Sequence, residues 1–312
     1  RRHYFGLLPP SISHEGYSDK PGYSYWDDFW ALIGYEDAAY LARELGKGEA
    51  AVRFEAQRDE FRRELLASLQ ASAERHGVRF LPGAADRGDF DATSTTIALA
   101  PGRERATLPP DLLQGTFERY YDEFRARREG RREWKVYTPY ELRAVGTFVR
   151  LGWRERAHEL LQFFLADRRP AAWNQWAEVV SRVPRQPHFI GDMPHAWIAS
   201  DFIRSVLDCF AYERRPDRTL VLAAGVPAAW LEGEGIEIDR LNTAFGRLGY
   251  RLKKQKGLEL EVWGDAPPGG FVLPWPLSTA AGSARIDGRP VRWDGRELVI
   301  PKSPSRVSID LK

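Results

Sequence analysis

The sequence predicts a mainly α-helical chain of paired helices, followed by a small antiparallel β-sandwich. Three observations carry that prediction. Apolar residues recur at helical spacing through residues 26–212, and glycine or proline breaks mark the helix ends. The breaks leave a repeating order of long loop, helix, short turn, helix. After Arg215-Pro216 the period falls from 3.6 to 2, and short β-branched runs alternate with turn signals such as Asp287-Gly288 and Asp294-Gly295. Two domains are therefore expected, residues 1–215 and 216–312. Paired helices with their long loops on one face describe an α/α hairpin toroid.

Each element has its own signal. Residues 1–25 read as an extended entry, broken by Pro9, Pro10, Gly16, Pro21 and Gly22. The first helix, 26–45, places Phe29, Leu32, Ile33, Leu41 and Leu45 close to one face and stops at Gly46 and Gly48. The second, 49–76, buries Phe54, Phe61, Leu65, Leu66 and Leu69 and ends at Gly77. A polar loop over 80–91 carries Asp86, Asp89 and Asp91 and leads into a short helix, 94–99. Pro109-Pro110 precede a helix over 111–128. Thr138-Pro139-Tyr140-Glu141 is a capping box with proline at the first helical position, opening a helix that Gly152 closes. Residues 155–166 form its antiparallel partner. A proline-broken loop over 183–194 leads to a last helix, 196–212. Strands are expected at 219–222, 236–238, 250–252, 258–263, 271–273, 284–286, 298–300 and 307–311.

Composition narrows the function. The 312 residues carry 46 basic and 44 acidic side chains, a net charge of +2. That balance leaves no electrostatic footprint for nucleic acid, and the basic run at 125–132 reads as a solvated helix end. The single Cys209 excludes an internal disulfide or a cysteine zinc site, and its apolar neighbours make it a buried side chain. The six histidines have no metal-ligand spacing and no glycine-rich phosphate loop is present, so no cofactor and no metal are expected. No apolar run reaches membrane-spanning length. The chain opens at Arg1-Arg2-His3, without initiator methionine or signal peptide, and reads as cut from a longer one.

The chemistry-bearing stretch is Tyr23-Ser24-Tyr25-Trp26-Asp27-Asp28-Phe29-Trp30, two adjacent carboxylates among aromatic rings. A second, Trp173-Asn174-Gln175-Trp176-Ala177-Glu178, sets one carboxylate beside tryptophans and amides. Sugar sites use this mixture: rings stack on the apolar faces of a pyranose and carboxylates move protons. The structural alternative for the first stretch is a helix N-terminus with core aromatics. Asp27 and Glu178 are the best acid and base. Trp26, Phe29 and Trp30 supply an apolar wall that would raise the pKa of the acid, and Asp28 competes for that role. An inverting pair should stand roughly 6.5–9.5 Å apart. Tyr25, Trp26, Asp28 and Trp30 are expected to contact substrate, as are Tyr137, Trp173, Gln175 and Trp176. Asp91 and Glu141 join them, each with helix capping as its alternative. Asp192 and His195 lie at a further candidate ligand-contacting helix start, Gly191-Asp192-Met193-Pro194-His195; His188 and His195 flank the loop holding Asp192. At least one of Asp86, Asp89 and Asp91 is expected in the cavity of Asp27, with no bound calcium.

The segment Gly6-Leu7-Leu8-Pro9-Pro10-Ser11-Ile12-Ser13-His14-Glu15-Gly16, continuing through Tyr23 to Trp30, resembles the six-hairpin glycosidases, the (α/α)6 superfamily of glucoamylases and trehalases. Trp26-Asp27 is similar to the tryptophan–acid element on which glucoamylases carry the general acid. It also resembles the trehalase Tyr-Trp-Asp-Ser-Tyr signature, departing from it at Asp28. Trp176-Ala177-Glu178, followed by Gly191-Asp192-Met193-Pro194-His195-Ala196-Trp197, resembles the glucoamylase region that carries the general base. The resemblance covers about residues 5–215, with about four hairpins where the family has six. It implies a bacterial glycoside hydrolase acting with inversion on an oligo- or polysaccharide, its barrel completed by upstream parts of the parent chain. A periplasmic or secreted setting is favoured over the cytoplasm. The runner-up is a non-catalytic carbohydrate-binding or scaffold protein of the same fold, and a phosphorylase is a further option. The tail resembles the small β domain that often follows such barrels.

Overall fold

The computed structural model describes residues 4–12, 19–183, 190–293 and 296–312. His14, Glu15 and Gly16, His188 and the Asp294-Gly295 turn lie outside the described residues. In chain order the helical part holds α1 (Tyr25–Glu44), α2 (Gly48–His76), α3 (Ala92–Leu99), α4 (Pro110–Arg128), the two-residue β1 (Val136–Tyr137), α5 (Arg143–Leu151), α6 (Arg154–Ala166), the two-residue β2 (Val180–Ser181) and α7 (Ala196–Phe210). Strands follow. The chain divides into two compact units, residues 1–137 with 181–186, and residues 138–180 with 187–312.

In the first unit, α1 and α2 form an antiparallel hairpin. Phe29, Leu32, Ala39 and Ala42 of α1 are buried, as are Leu65, Leu69 and Ala73 of α2. The Tyr25 hydroxyl bonds Ser68 Oγ at 2.8 Å inside this packing. Leu41 and Leu45, expected on the inner face, are exposed. At about 100° per residue they fall on the side of α1 opposite Leu32 and Ala39. The loop after α2 is laced to the strand-like entry of α1: Tyr25 N–H donates to the Gly83 carbonyl at 3.0 Å and Ala85 N–H to that of Tyr23 at 2.8 Å. Leu81 N–H reaches Thr116 Oγ1 of α4 at 2.8 Å.

In the second unit, α5 and α6 form another hairpin, and α7 runs parallel to α5. Two buried ion pairs make that arrangement. Arg143 Nε meets Asp201 Oδ2 at 2.6 Å, and Arg150 grips Asp208 with two hydrogen bonds of 2.7 and 2.9 Å. The step between pairs is seven residues on both helices, so the helices share direction and register. Gly146 lies between: a Cβ there would stand 2.9 Å from Asp208 Oδ2 and 3.3 Å from Ser205 Cα. The close approach of α5 to α7 therefore requires glycine. The start of α5 differs from the expected capping box. Pro139–Leu142 is a 3-10 turn in which the Thr138 hydroxyl accepts from Tyr140 N–H, while Glu141 N–H bonds the Thr138 carbonyl.

The strands are β3 (Ala211–Arg214), β4 (Thr219–Leu222), β5 (Ile236–Thr243), β6 (Gly246–Lys254), β7 (Gly257–Gly264), β8 (Phe271–Pro274), β9 (Ala281–Ile286), β10 (Arg289–Val291), β11 (Glu297–Ile300) and β12 (Ser305–Leu311). They build a six-stranded sheet, β10-β9-β12-β7-β6-β5, and a four-stranded one, β11-β8-β4-β3. Period-2 burial is plain in β7, where Leu258, Leu260 and Val262 face the core and Glu259 faces out. Burying such side chains contributes roughly 1.5–3 kcal/mol each. The pairing is antiparallel as expected except at β4–β8, which is parallel with Leu220 opposite Phe271.

The helix-to-strand change falls at the α7–β3 junction, and the two compact units divide near residue 138. The reason is polar as well as apolar. Arg154 of α6 donates to the Ala224 and Pro276 carbonyls at 3.0 and 3.1 Å, and the Tyr250 hydroxyl donates to the Phe210 carbonyl at 2.7 Å. These bonds join α6 and α7 to the sandwich. Among the described residues no helix is long and apolar enough to cross a membrane.

Removing one partner of a buried ion pair strands the other charge, which costs about 3–5 kcal/mol. Asp208→Ala should lose that much in urea unfolding, and Arg150→Met combined with Asp208→Leu should recover most of it. An unchanged urea midpoint in Asp208→Ala would refute a stabilising role for the pair.

Candidate active site

Asp27 belongs to the first unit and Glu178 to the second, so the two groups of site residues are built separately.

The first group stands in the opening turn of α1, where the helix dipole favours two acids in succession. Neighbouring helical residues point about 100° apart, which separates their environments. Asp28 turns inward and is 1% exposed. Its Oδ1 accepts the Leu8 N–H at 3.0 Å. Burial pushes its pKa up to about 7; the Leu8 bond opposes that shift and the charge of Asp27 adds to it. Asp27 is half-buried and accepts the Ser11 hydroxyl. Tyr25 is fully enclosed, and burial drives its hydroxyl pKa upward. Trp26 is buried and meets Trp30 edge to face at 5.7 Å, while Trp30 is 39% exposed. Tyr25 and Trp26 thus sit in the core, and Trp30 faces solvent.

The three loop aspartates each accept a backbone N–H. Asp86 takes that of Tyr23 at 3.0 Å, and Asp89 that of Ala84 at 3.0 Å. Asp91 caps α3, receiving Ser94 N–H at 2.9 Å and the Ser94 hydroxyl at 2.5 Å. Its capping alternative is the role the structure displays. Tyr137 is buried between Trp134, at 5.6 Å, and the Arg127 guanidinium, 4.7 Å from its ring centre. No cluster of three or more metal-ligating side chains occurs among the described residues.

The second group surrounds Glu178. Both backbone groups of Glu178 are held: its N–H donates to the Asp192 carbonyl at 3.3 Å and its carbonyl accepts Thr138 Oγ1 at 2.8 Å. Val179 N–H adds a bond to Ile190 at 3.1 Å. The side chain lies over Gly191, whose φ of +66° favours glycine and whose Cβ, were it present, would come within 2.0 Å of Oε2. A third of the Glu178 side chain stays exposed. Its Oε2 faces His195 Nε2 at 4.0 Å, and the same nitrogen bonds the Tyr140 hydroxyl at 3.2 Å. Tyr140 meets His195 and the half-exposed Trp197 edge to face, at 5.3 and 6.3 Å. The Arg143 guanidinium lies 4.2 Å from the Tyr140 ring centre. A carboxylate open on one side and an imidazole–phenol pair therefore share one small volume, a composition suited to moving a proton.

Other expected residues have different surroundings. Trp176 is buried, donating its indole N–H to the Phe164 carbonyl at 2.9 Å and packing on Phe202. Trp173, in the 3-10 turn Ala171–Trp173, is 61% exposed. Gln175 is half-buried, Glu141 is buried at the foot of α5, and Asp192 is exposed, serving Glu178 through its carbonyl.

No protein-family model and no curated protein matches this chain. Among solved structures it is similar to an α-L-rhamnosidase from Dictyoglumus thermophilum, at 11% identity and a TM-score of 0.48. The alignment covers 89% of this chain, which spans 31% of the rhamnosidase's length.

Tyr140, Trp197, Ser11 and Leu8 were not among the expected site residues. Tyr140 lies inside the Thr138–Glu141 motif, where its neighbours' capping signal masks it. Trp197 follows His195 by two residues and was readable as part of the same helix start.

Asp28 yields a pH prediction with a definite sign. Its folded pKa of about 7 exceeds the ordinary 3.8, so between those values the native state holds a proton that the unfolded chain has released. The stabilisation is complete below pH about 4 and is lost as pH rises through about 7, on the order of 4 kcal/mol in all. The stability difference between the native chain and Asp28→Asn, from urea unfolding, should therefore shift in favour of the variant from pH 4.5 to pH 8. A pH-independent difference would show that Asp28 ionises normally.

Proposed function

We propose that this chain is part of a glycoside hydrolase acting on an oligo- or polysaccharide. The observation that carries the reading is Glu178: a partly open carboxylate fixed by its own backbone, over a glycine, among aromatic side chains and an imidazole. The aromatic–carboxylate start of α1 supports it from the other unit. On this reading the helical hairpins belong to an (α/α)6 toroid.

The reading gives Glu178 the role of general base and Asp27 that of general acid. Asp28 is buried and Asp27 half-buried, which supports Asp27 over Asp28 as the acid. Asp27 would protonate the glycosidic oxygen as the bond to the anomeric carbon breaks. Glu178 would take a proton from the water that attacks the opposite face, and the product would have inverted configuration. Trp30, Trp173 and Trp197 supply exposed ring surface for pyranose stacking.

The test is hydrolysis of a panel of aryl glycosides and oligosaccharides by the parent protein. Asp27→Asn and Glu178→Gln should each lower kcat/KM by at least about 10²-fold with circular dichroism unchanged. Anomeric NMR of the first product should show inversion. Near-native turnover in either variant removes that residue from the chemistry. Glycan binding without hydrolysis on any substrate would make this a carbohydrate-binding protein instead.

A further inference from the structure

We infer that the β-sandwich carries a glycan-binding pocket of its own, formed by Trp275 and Trp293 beside the β8–β9 connection. The β8–β9 connection, which leaves the four-stranded sheet for the six-stranded one, brings Trp275; Trp293, two residues after β10, and Arg296, just before β11, lie beside it. Trp275 N–H donates to the Arg296 carbonyl at 3.0 Å, extending the β8–β11 ladder and holding the two segments together. Between them is a cavity of about 580 Å³, whose lining includes Trp275, Trp293, Ser278, Thr279, Ala280 and Arg296. Small-ligand pockets run from about 300 to 1,000 Å³.

The chemistry of the lining selects the ligand class. The two indoles meet at 86° with centroids 5.5 Å apart, a corner of two aromatic walls. Their orientation is fixed, since Trp275 Nε1 donates to the Thr279 carbonyl and Trp293 Nε1 to that of Gly282 at 3.4 Å. Both rings pack from one side on the sandwich core and are only partly buried. Ser278, Thr279 and Arg296 at the edge are exposed and add hydroxyl and guanidinium groups. An apolar ligand would use the walls and leave the rim idle. A pyranose uses both, with a C–H face against an indole and hydroxyls toward Ser278, Thr279 and Arg296. Arg154 donates to the Pro276 carbonyl at 3.1 Å, so the connection bearing Trp275 is braced from α6. The pocket is built from the sandwich and its neighbours alone and does not rest on the chemistry assigned to Glu178.

The test is titration of the whole chain with maltohexaose, cellohexaose, xylohexaose and mannohexaose, read by tryptophan fluorescence and calorimetry, with p-nitrophenol as an aromatic control. At least one hexaose should bind with a dissociation constant on the order of 0.1–10 mM. Trp293→Ala should weaken that binding roughly tenfold or more. Ala280→Arg, which puts a long side chain on the exposed lining without removing a core ring, should abolish it whether or not Trp293→Ala folds. Hydrolysis by the parent protein should be unchanged in Ala280→Arg, which separates this pocket from the proposed hydrolytic site. Binding of p-nitrophenol but no hexaose, no binding at all, or hexaose binding that survives Ala280→Arg would each overturn the inference.

Discussion

Two buried arginine–aspartate pairs, one heptad apart, set the spacing and register of α5 and α7, and the Glu178 cluster depends on both helices. Taking these charges out of water is costly, and the cost is offset only by close, multiply bonded geometry. The geometry here meets that condition. Arg150 is gripped twice by Asp208, and Asp201 receives both Arg143 and Arg204. Burial works against the charge of Arg150, yet the Asp208 carboxylate leaves its pKa raised. An apolar layer between two helices tolerates sliding; an arginine facing one aspartate at two levels does not. Gly146 lets the helices close far enough for the pairs to form.

That register carries through to the site. Tyr140 precedes α5 by one short turn and rests against Arg143, while His195 opens α7 six residues before Asp201. The 3.2 Å contact between Tyr140 and His195 therefore closes an arrangement whose other side is the Arg143–Asp201 bond. The two carboxylate groups follow opposite strategies. Asp28 has been moved out of water with one amide for company, which favours its protonated form near neutrality. Glu178 keeps a third of its side chain in contact with solvent and is fixed through its main chain.

Helix positions and the change to strands were readable because apolar period and glycine breaks are local signals. The aromatic–carboxylate stretches were visible for the same reason, but their internal geometry was not. Trp173 and Trp176 lie three residues apart in one motif, yet one is exposed and the other donates to Phe164 within the core. The partner of buried Asp28 is Leu8, twenty residues upstream in a segment without periodicity. The parallel β4–β8 pairing joins strands about fifty residues apart, beyond any turn signal. The Arg143/Arg150 and Asp201/Asp208 spacing was present in the sequence as matching heptad steps. It reads as solvated charge until both helices are known to be buried there. The unit boundary near residue 138 was hidden because Arg154, Phe210 and Tyr250 bind across the change in period.

The surroundings of His195 favour one tautomer of its neutral ring. Nε2 bonds the Tyr140 hydroxyl, and Nδ1 is buried with no hydrogen-bond partner among the described residues. A hydrogen on Nδ1 would be a buried donor with nothing to accept it, among the costlier polar defects. A hydrogen on Nε2 leaves only a bare ring nitrogen at Nδ1 and lets the ring donate to the Tyr140 oxygen. A hydrogen on Nε2 of a neutral ring avoids that defect, and Nε2 also faces Glu178 Oε2 at 4.0 Å. The carboxylate lies just beyond hydrogen-bonding distance of that nitrogen. The Glu178 backbone is tied at both N–H and carbonyl, and its side chain lies over Gly191. A third of the Glu178 side chain nonetheless remains in contact with solvent.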